Sequence, residues 1–164
     1  MIEPLGFAGA AARARVMAAA LALGRSLDLW SMALVTLALV GLLWLSLPLS
    51  SGICLLASIL AGGRQKIFAL RVAFDAALFR HWAEAWRRAA DQGLDQAALV
   101  ADLAAFDHAL AACGLRAPAV EAVRDLDSRL HGAGKLLRQQ TLALAIQFAA
   151  MIGAALAMHL PPAG

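Results

Sequence analysis

Few side chains in this sequence can do chemistry, and their spacing decides what each can do. His81 and Glu84 stand three apart, which puts two possible metal ligands on one helix face. Two ligands are not a site, and no second pair stands near them. A solvated surface pair is the reading, with no metal site. Asp107-His108 and His131 are isolated in the same way. Cys54 and Cys113 do not make a disulfide framework and read as small apolar residues. No glycine-rich phosphate loop, paired-cysteine zinc spacing, HExxH or serine-centred elbow occurs. No catalytic residue and no cofactor are therefore expected. The most interesting polar pair is Arg71 and Asp75, four apart in the aromatic stretch FALRVAFDAALF. That spacing lets them meet on a helix surface as an interfacial ion pair.

The element that must position everything else is the stretch from Leu29 to Gly63. It is about thirty-five residues of Leu, Ala, Val, Ile, Ser and Gly, without one charged side chain. A hydrocarbon core about 30 Å thick takes roughly 20 apolar residues, so the run is too long for one crossing. Pro48 near its middle breaks the helical ladder, and Ser50, Ser51 and Gly52 offer turn chemistry. The stretch reads as a transmembrane hairpin. Trp30 and Trp44 lie toward the two ends of its first arm, where an aromatic belt would put them.

Composition agrees. The chain has 164 residues, 62% of them hydrophobic and 15% charged, against about 45–50% and 25% in soluble domains. That leaves room for a few spans and one small helical lobe, not for a large enzyme core. The net charge of +3 is small, and its basic residues flank the apolar runs. This placement suits anionic lipid and not nucleic acid. No cleavable signal peptide is expected, because the first twelve residues lack a basic region.

In chain order, residues 1–28 read as an N-terminal interfacial helix. The Ala-rich run Phe7 to Leu23 carries only Arg13 and Arg15, whose long stems can reach lipid phosphates. A plain helix packed on the lobe is the alternative. Gly24 is its stop, and Ser26 or Asp28 is the expected cap of the next helix. The hairpin follows at 29–63. Residues 64–134 read as a three-helix lobe. Its first helix, to Asp91, shows an apolar face at Ile67, Leu70, Phe74, Leu78, Trp82, Ala85 and Ala89. Its second, capped by Asp95, buries Leu99, Leu103, Phe106 and Leu110. Its third restarts at Pro118 and buries Val120, Val123, Leu126 and Leu130, with Arg124, Asp125, Asp127 and Arg129 mostly outward. Gly132-Ala133-Gly134 is a predicted hinge. The last segment, 135–164, is a third span from Leu142 to Leu160, ended by Pro161-Pro162. Ala145, Ala149, Gly153 and Ala157 recur every four residues along it, a stripe on which another helix can approach closely.

Basic residues set the threading. Arg13, Arg15 and Arg25 precede the first arm, Arg64, Lys66 and Arg71 follow the second, and Lys135 and Arg138 precede the third span. Arg13, Arg15, Arg64, Lys66, Lys135 and Arg138 are the expected lipid-phosphate contacts. An excess of Lys and Arg marks the cytoplasmic side. The N-terminus and lobe are expected inside and the C-terminus in the periplasm. Placing 67–86 in the bilayer instead would bury Arg71, Asp75 and Arg80 at several kcal/mol together.

The expected fold class is thus an all-α integral membrane protein of a bacterial inner membrane: a transmembrane helical hairpin, a cytoplasmic three-helix lobe and a C-terminal transmembrane helix. The expected function is a non-catalytic accessory or assembly protein. Its partners would be the lipid bilayer and another membrane protein or its own copy. A transporter or channel subunit is the alternative, with Thr36, Ser46, Ser58, Gln147 and His159 as the polar groups available to a path. A lipid-modifying enzyme would have to use Arg71, Asp75, His81 and Glu84.

Overall fold

The computed structural model describes residues 6–94, 96–114 and 125–159. Among these lie α1 (Phe7–Ala22), α2 (Gly24–Trp44), α3 (Leu49–Asp91), α4 (Gln96–Ala112) and α5 (Leu126–His159), with no strand. The fold is all-helical, as expected. The stretches Phe7–Trp44, Leu49–Asp91 and Leu126–His159 are each long and apolar enough to cross a bilayer. The expected roles of Asp95, Pro118, Val120, Val123, Arg124, Leu160 and Pro161-Pro162 fall outside the described residues.

Three boundaries differ from the reading of the sequence, each for a local reason. Neither Ser26 nor Asp28 caps α2. The chain passes from α1 to α2 through Leu23, which keeps helical angles (φ −62, ψ −25) and makes no side-chain cap bond. With so slight a break, Ser26 and Leu27 N–H groups reach the Leu23 carbonyl and need no cap. The hairpin turn is earlier and tighter than expected. Leu45 turns extended (φ −108, ψ 137) while its N–H still bonds Gly41 O. Pro48 accepts a bond from Gly52 N at 3.1 Å, so it opens α3, and Ser50, Ser51 and Gly52 are helical. Gly132-Ala133-Gly134 is not a hinge but the interior of α5. A helical glycine costs only about 1 kcal/mol against alanine, and Ala133 between the two is buried.

The far end of α3 stops as the sequence suggested, at Gln92-Gly93. Leu94 N bonds Ala89 O, Gly93 N bonds Ala90 O, and Gly93 takes φ +71. This paired closure needs a left-handed residue, which glycine supplies without a Cβ clash. Gly114, at φ +69, follows α4 in the same way.

The chain forms two compact units, Met1–Ala20 with Asp75–Gly134, and Leu21–Phe74 with Lys135–Gly164. The first is the lobe unit. It contains most of α1, the latter part of α3, α4 and the start of α5. α1 turns Phe7, Ala10, Ala11, Ala14 and Ala18 inward, while Arg15 and Val16 stay exposed. α3 contributes Phe79, Trp82 and Trp86, and α4 contributes Leu99 and Leu103, all buried.

The second, the hairpin unit, packs α2, the first part of α3 and the latter part of α5. α2 and α5 run parallel: Gly24 meets Gln140, and Ser31 meets Gln147. α3 runs against both: Ser51 meets Ala154, and Ser58 meets Gln147. Its inward stripe on α3 is not the one the apolar period marked. Ile67, Leu70 and Phe74 are exposed, whereas Gln65, Ala69 and Val72 are buried. The largest apolar side chains face out here, and small and polar ones face in.

Candidate functional site

The inward face of the hairpin unit is a polar seam. Helices with apolar exteriors associate through small residues that allow close approach and through hydrogen bonds across the gap. Both are present. Gln140 Nε2 donates to Gly24 O at 2.7 Å. This is possible because residue 24 has no side chain: a Cβ there would lie 2.6 Å from Val72 Cγ1 and 2.8 Å from Gln140 Oε1. One heptad on, Gln147 joins all three helices. Its Oε1 accepts from Ser31 Oγ at 2.8 Å, and its Nε2 donates to Ser31 O at 3.1 Å. Its backbone carbonyl accepts from Ser58 Oγ at 3.5 Å. Gly62 makes room for this amide, since a Cβ there would overlap Val35 Cγ2 and come within 2.8 Å of Gln147 Nε2. Further along, Ser51 Oγ donates to Ala154 O at 3.1 Å, beside a buried apolar cluster of Ala38, Leu55 and Ala154. Toward the Gly24 end, Lys66 Nζ and Asp28 Oδ2 pair at 2.7 Å, both partly exposed.

The lobe unit holds a second polar arrangement, of opposite character. Arg129 pairs with Asp107 at 2.7 Å with both side chains about nine-tenths buried. The guanidinium also lies over the rings of Trp82 at 5.4 Å and Phe106 at 5.5 Å. Trp82 stacks on Trp86 at 5.2 Å, and the Trp86 indole donates to Asp102 Oδ2 at 2.7 Å. Such an arrangement orders a core; it presents no accessible nucleophile or base. Arg129, expected mostly outward, and Asp107, read only as an isolated side chain, are therefore turned inward. The aromatic rings around the guanidinium offset its desolvation, which a solvent-facing reading of the charge did not weigh.

Asp125, expected only as a surface charge, is the cap of α5. Its Oδ1 accepts from Ser128 N at 3.0 Å. The side-chain and backbone bonds from Ser128 hold its carboxyl below the ordinary carboxylate value.

The residues singled out in the sequence are scattered. Among the lipid-contact candidates, Arg13 pairs with Asp127, Lys66 pairs with Asp28, and Arg64 lies over the Phe68 ring at 5.7 Å. Arg15, Lys135 and Arg138 are exposed. Arg15 borders a groove of about 680 Å³ that Arg80, Glu84, Arg87 and Asp91 also line. α3 carries Arg71 and Asp75 one turn apart, where it passes from one unit to the other. Of the α5 stripe, Ala145 and Ala149 are exposed, and Gly153 and Ala157 are half-buried. The buried α5 residues of this unit are Gln140, Ala143, Leu144, Gln147 and Ala154, and Gly153 lies near Cys54 of α3. His81 and Glu84 are exposed, as are His108, His131 and His159. Among the described residues no three His, Cys, Asp or Glu side chains converge as a metal site would need.

Gln147, named from the sequence as one of the polar groups available to a path, is a cross-helix hydrogen-bonder. Gln65, Gln140 and Ser31 were not assigned that part. A signal was present for Gln140, as amides spaced by seven at 140 and 147, whereas Gln65 stands between Arg64 and Lys66 and reads as part of a charged segment. No family model, no curated protein and no solved structure matches the chain.

Proposed function

We propose that this protein is a small non-catalytic accessory or assembly protein of a bacterial inner membrane. It anchors a helical lobe to the bilayer and binds another membrane protein or its own copy through α5. One observation carries this reading: the hairpin unit is built inside out. Leu37, Leu43, Leu60, Ile146, Ile152 and Leu156 are exposed, while Gln65, Gln140 and Gln147 are fully buried. Water would penalise that surface heavily, and hydrocarbon would not. The course of α3 against α2 and α5, which run parallel to each other, supports three crossings. The basic residues that flank them support a cytoplasmic N-terminus and lobe and a periplasmic C-terminus. The exposed Ala145 and Ala149 offer the outer face of α5 to a partner helix.

The test is extraction of untagged protein in mild detergent, followed by identification of what co-purifies in fixed proportion. A stoichiometric membrane protein, or a second copy, supports the reading. Recovery as a water-soluble monomer refutes it. A subunit of a transporter or channel is the second reading, favoured by Gln147 at the meeting point of three helices. It calls for solute or ion flux in proteoliposomes that Gln147→Leu abolishes.

A further inference from the structure

Gln65 is fully buried, and neither its amide nitrogen nor its oxygen has a hydrogen-bond partner in the protein. Two more buried oxygens lack partners in the same unit, Gln140 Oε1 and Asp28 Oδ1. The helix register brings the three to the same end of the unit. On the α2 side, Gln65 lies between the Asp28–Lys66 pair and the Val35–Gly62 contact. On the α5 side, Ser58 and Gly62 of α3 face Gln147, so the next turn of α3 faces the stretch leading back to Gln140. All three therefore fall within about two helical turns.

Buried amides and carboxylates are not left unsatisfied, and the demand here is mixed. Gln65 Nε2 needs an acceptor. Gln65 Oε1, Gln140 Oε1 and Asp28 Oδ1 each need a donor. A cation would satisfy only oxygens and would sit beside Lys66, whereas an anion would satisfy only the amide N–H groups. Water does both, and a buried water wants two to four such partners.

We propose that the Gly24 end of the hairpin unit is a one-sided hydrated vestibule that binds ordered water among Gln65, Gln140 and Asp28. Its mouth is the partly exposed Asp28–Lys66 pair. Its floor is the Ser31–Gln147–Ser58 layer, whose polar groups satisfy one another. Beyond the floor lies the dry Ala38–Leu55–Ala154 cluster, so water enters from one end and stops. This needs neither a partner nor a transport step.

Pulsed-X-ray hydroxyl footprinting on the full chain in detergent or liposomes reads it directly, because radicals formed from bound water oxidise only adjacent side chains. Val72, which shares the Gly24 cleft with Gln140, and Leu55 of the dry cluster are both almost fully buried, at 1% and 3% exposure. Val72 is expected to be oxidised several-fold faster than Leu55, and Gln65→Leu is expected to bring it down toward Leu55. Equal rates in the unaltered protein overturn the proposal. Should Gln65→Leu fail to fold, water-to-amide magnetisation transfer in the unaltered protein decides. Rapid transfer to the Gln65 side-chain amide supports the vestibule, and transfer as slow as at the Ala38 backbone amide overturns it.

Discussion

The two units use the same helical period for opposite ends. In the lobe unit, Phe79, Trp82, Trp86, Leu99 and Leu103 go in, and His81, Glu84 and His108 stay out. In the hairpin unit, Gln65, Gln140, Gln147, Ser31, Ser51 and Ser58 go in, while Leu37, Leu43, Leu60 and Ile152 stay out. One helix, α3, carries both patterns in succession. The lobe is held by volume, with aromatic area removed from water and one charge pair buried among the rings. The hairpin is held by close approach at Gly24 and Gly62 and by hydrogen bonds between its helices. The physical lesson is that a period of 3.6 locates a face, while the surroundings decide which way the face turns.

This contrast can be broken first in the lobe. Arg129→Met leaves Asp107 as a buried charge without its guanidinium, and losing one partner of a buried pair costs about 3–5 kcal/mol. Faster hydrogen exchange across α4 should report it. The hairpin should instead be sensitive to a single side chain added at a close approach. Gly62→Leu drives a side chain into Val35 and the Gln147 amide, and overpacking of this kind costs about 1–3 kcal/mol. Its neighbour Gly63 has nothing within 4 Å of a Cβ, so Gly63→Leu should leave thermal unfolding in detergent nearly unchanged. Equal effects at 62 and 63 would show that close approach does not hold this unit.

Gln147→Leu sharpens the comparison further. It removes two side-chain bonds to Ser31, and each such bond between apolar helices is worth about 0.6–2 kcal/mol. The melting temperature should fall, whereas a dry core would gain from the added leucine.

The smallest effect is expected at the exposed cap. Asp125 has a folded pKa below the ordinary value through its Ser128 bonds. Its contribution is therefore present above the unfolded carboxylate pKa of about 3.9 and is lost as pH falls through the folded value. The melting temperatures of the native protein and Asp125→Ala should differ by a constant amount at neutral pH and converge in acid. A gap that persists at the acid end would show that the carboxylate charge is not what caps α5.

Composition and local pattern determined the helical class, the apolar stretches long enough to span, the break near Pro48, the stop at Gly93 and the α4 stripe led by Leu99 and Leu103. These depend on short-range properties that a residue carries with it: a missing N–H, a missing Cβ, an apolar side chain every third or fourth place. Tertiary structure decided the rest. It turned Arg129 and Asp107 inward, because rings from α3 and α4 converge around the guanidinium. It passed over Ile67, Leu70 and Phe74 in favour of Gln65, Ala69 and Val72, because three helices meet there and only small or hydrogen-bonding residues let them. It put Gln140 and Gln147 at the contact on α5 and left Ala145 and Ala149 of the small-residue stripe exposed. The worth of a buried amide is set by what faces it across the gap, and that partner lies as far away in the chain as Ser31 does from Gln147.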